Sequence, residues 1–222
     1  MIFARMVYPI ACALTTANAS ASDRVLYEFD IRVSHNSVIN SGYGGDWEQM
    51  PVGSLGKMTV LVNDDRSLFP PFIVGLEQQK YSVDAVTFDV NGIVAEGRAG
   101  SYPSNVWGTT FEITNDEDQG AFITDKIAMY PDFDRTDFGK AEFRIQESGF
   151  SSRLPRLVTS DDLPLELDTS RSQIRSLKIY HASSIAMYLN LSVEDVRVTV
   201  VPTPASVALL ALSGIAATRR RR

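Results

Sequence analysis

The sequence predicts an all-β domain, arranged as an antiparallel two-sheet β-sandwich of jelly-roll kind, and three observations carry that expectation. Apolar and polar side chains alternate along run after run of the chain, polar clusters rich in Gly, Asn, Asp, Pro and Ser separate those runs, and the body shows no sustained i, i+3, i+4, i+7 apolar stripe. Strands with one apolar face are accommodated by two sheets that bury those faces against each other. An open sheet would need its exposed face to be polar along every strand.

The clearest strand comes first. Val25, Tyr27, Phe29, Ile31 and Val33 alternate with Leu26, Glu28, Asp30 and Arg32, so a period of two puts the apolar set on one face. Lys57 to Val62, Phe72 to Leu76, Tyr81 to Val90, Thr109 to Thr114, Ala121 to Tyr130, Lys140 to Ile145, Ile174 to Tyr180 and Met187 to Val201 read the same way. The last of these changes register, because Leu189, Leu191 and Val193 occupy odd positions whereas Val196, Val198 and Val200 occupy even ones. One face cannot hold both sets, which predicts a β-bulge or corner at Glu194-Asp195. Tyr81 to Val90 shows a similar switch between Val83 and Val86.

Both ends of the chain differ in character from this body. Residues 1–21 have the form of a secretory signal peptide: Arg5 in a short n-region, a largely apolar Met6 to Leu14, and the small-x-small pattern Ala19-Ser20-Ala21. Cleavage is expected after Ala21, with Ala17-Asn18-Ala19 offering a site after Ala19. Residues 202–222 run Pro202-Thr203-Pro204-Ala205-Ser206, then an uncharged apolar stretch to Thr218, then Arg219, Arg220, Arg221 and Arg222. As a helix, Ala205 to Thr218 would reach only about 21 Å at its rise per residue, short of the roughly 30 Å of a hydrocarbon core. The arginines resist translocation and would hold the C-terminus on the cytoplasmic side.

A secretory signal, a body, Pro-x-Pro-Ala-Ser, a short apolar helix and an arginine cluster, in that order, resemble the PEP-CTERM sorting signal of Gram-negative bacteria. The resemblance implies recognition by an exosortase, an integral-membrane cysteine protease expected to cut near the prolines. Thr203 stands where that family usually has Glu. The body resembles a group of β-rich surface proteins with the same tail at Phe111-Glu-Ile-Thr-Asn-Asp116, Asp125-Lys-Ile-Ala-Met-Tyr130 and Ser160-Asp-Asp-Leu-Pro164. That group brings no established activity with it.

Residues 22–201 suffice for one domain with a substantial core. The chain has 21 Lys and Arg against 27 Asp and Glu; without Arg5 and the terminal arginines the body keeps 16 against 27, about −11 at pH 7. Such a body repels phosphate backbones, so nucleic acid is not expected as a partner. The single cysteine, Cys12, falls in the signal segment, and no disulfide can staple the body.

Candidate chemistry is sparse. His35 and His181 have no partner by spacing, and the sequence contains neither a Gly-x-Ser-x-Gly elbow nor a His-Glu-x-x-His helix. Gly42-Tyr-Gly-Gly45 lacks the Lys and the following helix of a phosphate loop. Acidic clusters at Asn63 to Asp65, Asn115 to Asp118, Asp132-x-Asp134-x-x-Asp137 and Asp161-Asp162 place oxygen ligands on loops. Asp132, Asp134 and Asp137 form the best calcium candidate, although Asp137 falls where an EF-hand needs Gly and Phe143 where it needs Glu. The same residue types are also ordinary in turns.

Trp47 and Trp107, flanked by Tyr43 and Tyr102, lie in Gly- or Pro-containing loop stretches. They could form a stacking platform for sugar rings or fold back to cap the end of the domain. Together these features predict an exported, non-catalytic structural or adhesive protein of the outer surface or extracellular matrix. It would pass through the inner membrane and meet an exosortase-type protease. A carbohydrate-binding module contacting extracellular polysaccharide, with or without calcium, is the alternative, and a secreted hydrolase the third. No cofactor other than calcium is indicated.

Overall fold

The computed structural model describes residues 24–41, 45–64, 77–97, 110–118, 122–131, 133–150, 155–160 and 162–202. Among them the regular structure is strands and short 3-10 turns: β1 (Arg24–Asn36), β2 (Leu55–Asn63), β3 (Glu77–Val90), β4 (Ile93–Gly97), β5 (Thr110–Asp118), β6 (Ile123–Met129), β7 (Phe138–Gly149), β8 (Ile174–His181) and β9 (Ser184–Val201). The expected signal peptide, the Phe72 to Leu76 strand and the C-terminal apolar helix lie outside the described residues.

The protein is all-β and antiparallel, as the alternation predicts, but it is not a two-sheet sandwich. The strands run β2-β1-β9-β8-β7-β6-β5-β3-β4 in one sheet, and β2 also pairs with β3, so eight of them close into a barrel. β4 is an appendage, reached through the Asn91-Gly92 turn, in which both residues have positive φ, as a two-residue hairpin of matching twist requires. It takes the place beside Val86–Val90 that β5 leaves open, since β5 pairs only with Glu77–Ser82.

The physical reason for the difference is that alternation specifies one buried face per strand and nothing about what covers it. A closed sheet buries that face against its own opposite wall and leaves no edge among the closing strands. Register shifts in the β1–β9, β2–β3, β5–β6, β7–β8 and β8–β9 pairings supply the coiling that closure needs. Two of them fall where the odd-to-even switches predict. Asp30 pairs with Asp195 and Ile31 with Val193, which leaves Glu194 as the extra residue; Leu61 pairs with Ala85 and Val62 with Val83, which leaves Asp84.

The interior is filled by side chains. Tyr27, Phe29, Phe88, Phe111 and Phe143 are fully buried, and rings from opposite walls meet at 4.8 Å between Tyr27 and Phe111 and 4.7 Å between Phe29 and Phe143. Burial of each such side chain stabilises the fold by about 1.5–3 kcal/mol. Outward positions carry Glu28, Asp30, Arg32, Lys57, Lys80, Lys126, Glu142 and Arg144. This is the reverse of a lipid-spanning barrel, whose outer band is apolar. No helix among the described residues is long and apolar enough to cross a membrane.

The bulge generates a direct test. Val193 is 1% exposed whereas Ile185, near the start of β9, is 83% exposed. Val193→Asp should cost several kcal/mol in urea unfolding through burial of an unpaired charge, and Ile185→Asp should stay within about 0.5 kcal/mol of the parent. Equal midpoints for the two variants would contradict the register.

Candidate functional site

Both ends of the barrel are closed by irregular segments, and each closure is built around buried polar side chains. At the end where β1 starts and β9 finishes, the inward rows of β6 and β7 stop being apolar. Ile127 is followed outward by Asp125, and Ile145 by Glu147; the two acids are direct cross-strand partners and are 0% and 3% exposed. Gln79 and Asn115 are buried polar residues on the neighbouring strands β3 and β5.

The β7–β8 connection folds over this end, burying Leu157, Val158 and Leu163. Its backbone is what the acids hold. The Val158 N–H donates to Asp125 at 3.2 Å and the Arg156 N–H to Glu147 at 2.9 Å. Asp125 also accepts from the Asp116 N–H at 3.0 Å, and the Arg171 guanidinium stands 2.6 Å from Glu147. Asp116 has positive φ and sits in the register shift of β5. The Tyr27 hydroxyl donates to the Pro164 carbonyl at 3.0 Å, and burial pushes its pKa up.

Burial is the largest influence on Asp125 and raises its pKa above the usual carboxylate range. The two backbone N–H bonds work the other way without cancelling it, and the charges of Asp116 and Glu147 push it up further. A close pair of carboxylates is the equipment of glycoside hydrolysis. Here, however, the oxygens are engaged by backbone N–H groups and Arg171 under a folded segment, so the geometry makes a clamp.

At the other end, Asn36 donates from its side-chain amide to the carbonyls of Trp47 and Met50 at 2.9 and 3.0 Å, and its oxygen accepts from the Val38 N–H at 3.0 Å. That fixes a 3-10 turn at Gly45–Gln49, whose Trp47 is 2% exposed and lies 5.0 Å from Phe138 and 5.5 Å from His181 between ring centroids. Trp47 therefore caps the barrel and presents no face for a sugar to stack on. Its expected companions Tyr43, Tyr102 and Trp107 lie outside the described residues.

Of the calcium candidate, Asp132 lies outside the described residues and the other two are engaged in the turn before β7. Asp134 accepts from the Glu96 N–H at 3.0 Å and Asp137 from the Arg135 guanidinium at 3.1 Å. Arg135 also pairs with Asp46, which ties that turn to the cap. Among the described residues no three His, Cys, Asp or Glu side chains converge as a metal site. His35 is an exposed β1 residue; His181 is buried, and its Nδ1 accepts from the Ser183 N–H at 3.1 Å. Of the sorting signal only Pro202 is described, as the exposed residue that follows β9; Thr203, Pro204 and Arg219 to Arg222 are not.

The Asp125–Glu147 pair was missing from the sequence-predicted set. Its signal is an acid in line with the inward residues of its own strand: Asp125 continues the row of Ile127 and Met129, and Glu147 that of Phe143 and Ile145. No protein-family model, curated protein or solved structure matches this chain.

The clamp has a pH signature. A folded-state carboxyl with a raised pKa keeps its proton where the unfolded chain has lost it, so its contribution to stability falls as pH rises from the ordinary carboxylate value through the folded one. The stability of the parent minus that of Asp125→Asn, measured by urea unfolding from pH 4 to 7, should shrink as pH rises. A difference that stays constant or grows would contradict the assignment.

Proposed function

We propose that the chain is an exported protein of the cell surface or extracellular matrix, that its barrel has a non-catalytic structural or adhesive role, and that its C-terminal segment is a sorting signal read by an exosortase-type protease. The observation that carries the barrel's part is the filled interior. With aromatic side chains occupying the centre and folded segments over both ends, the surface left for contact is the outer wall. That suits a protein that meets large partners, such as polysaccharide or a neighbouring surface, more than one that encloses a small substrate.

The destination rests on the sequence of the two ends. A leader with a small-x-small site, and a Pro-x-Pro-Ala-Ser segment followed by an apolar run and four arginines, describe a chain that is exported, held in the inner membrane by its tail, and released. Length favours release over permanent anchoring. An apolar helix of about 21 Å under a roughly 30 Å core must thin the bilayer or draw its flanks inward, a mismatch costing fractions of a kcal/mol per Å.

The measurement is the intact mass of the native protein from outer-surface or matrix fractions of the host that makes it. A species ending near Pro202 to Pro204 is expected, with full-length precursor accumulating in the inner membrane when Pro202 and Pro204 are replaced by Ala. A matrix species that still carries Ala205 to Arg222 would refute processing.

A further inference from the structure

The outer wall carries an aromatic and cationic cluster that neither the core nor the clamps use. Tyr180 of β8 and Tyr188 of β9 are cross-strand partners with ring centroids 6.2 Å apart and planes inclined at 57°. Lys178 lies between them, its Nζ 4.9 Å from the Tyr180 centroid and 3.9 Å from that of Tyr188. His35 of β1 extends the row, 5.2 Å from Tyr188. Asn190 stands opposite Lys178, and its amide donates to the Ser34 hydroxyl at 3.0 Å.

The state of Lys178 is informative. Glu142 occupies the register position opposite it on β7, yet the ammonium leans toward the tyrosines and forms no ion pair among the described residues. Three other lysines of the wall find acids, Lys57 with Glu28, Lys80 with Glu112, and Lys126 with Glu112 and Glu117, whereas Lys140 lies over the single ring of Tyr130. In a body with a large excess of acid, a cation held between two half-buried tyrosines and beside an exposed histidine is available to an external anion.

We propose that the Lys178–Tyr180–Tyr188–His35 face binds an acidic polysaccharide, one whose sugars carry carboxylates. The C–H face of a pyranose ring stacks on a tyrosine, the carboxylate meets Lys178, and His35, Asn190 and Ser34 offer hydrogen bonds to hydroxyls. A neutral sugar leaves the lysine unused. A linear phosphate polymer leaves the rings unused; the net charge of the body opposes either polyanion, and only the sugar polymer offsets that by stacking on the tyrosines. This deepens the adhesive role proposed above and rests on it for its biological setting; the site itself is defined by the wall.

The test is affinity electrophoresis of the mature protein, as purified from its host, through gels containing polygalacturonate, dextran or polyphosphate. Retardation by polygalacturonate alone is expected, with Lys178→Gln and Tyr188→Ala each weakening it about fivefold. Lys178→Arg should keep most of it, which guards against loss through misfolding, and Ile185→Ser near the start of β9 should leave it unchanged. The proposal falls if there is no retardation, if dextran or polyphosphate retards equally, or if Lys178→Gln binds like the parent. A processed protein that fails to bind sinks this site alone, whereas a binding protein that keeps its tail sinks the sorting signal alone.

Discussion

Strand β1 carries the closure on which every other contact depends. It pairs with β2 from Arg24 to Arg32 and with β9 along its length, so residues near the start of the body lie beside residues near its end, Arg24 opposite Val201. Its inward side chains are the ones that reach the far wall, Tyr27 to Phe111 and Phe29 to Phe143. With no cysteine in the body, this seam and the core behind it are what hold the ends of the sheet together. Bringing such distant segments together costs chain entropy before any contact compensates for it. The five-residue apolar row of β1 is therefore both a local strand signal and the surface on which the barrel closes.

Closing the wall leaves the two openings, and both are sealed by the same physical device. An irregular segment cannot join the ladder, so its backbone N–H and C=O groups need partners when it covers a core. Asn36 supplies them at the Trp47 end, and Asp125 and Glu147 at the other. A desolvated carboxylate is costly by itself, and two in adjacent strands are worse. The cost is offset by backbone N–H groups, by Arg171, and by the burial of Leu157, Val158 and Leu163 that the clamp permits. The raised pKa of Asp125 shows that the offset is incomplete.

The strands were legible in the sequence and their closure was not, for a single reason. Alternation is a local property, and each described strand except β4 falls on a run that shows it. The odd-to-even switches even located the bulges at Asp84 and Glu194. Whether a face is covered by a second sheet or by the far side of the same one is decided by pairings between distant segments, β1 with β9 above all, and no local pattern encodes that choice. β4 was missed because its five residues, Ile93–Gly97, are too short to show a period. For the candidate site, residue types drew attention to Trp47 and to the loop aspartates, while the buried acid pair and the Lys178 face depend on which residues share a side of neighbouring strands.

The same register fixes where the described ladder stops. β9 is the last described strand, and its ladder with β1 ends at Val201 against Arg24. Pro202 follows at once, and a proline has no N–H to donate, so it adds no donor to the ladder. Pro202 thus closes the described ladder at the residue where the proposed sorting segment begins. Because β9 also supplies Tyr188 and Asn190 to the outer face and Leu189, Leu191 and Val193 to the core, neither the core nor that face is complete until β9 has been made. The sorting segment proposed above would therefore follow the last described residues that the core and that face use.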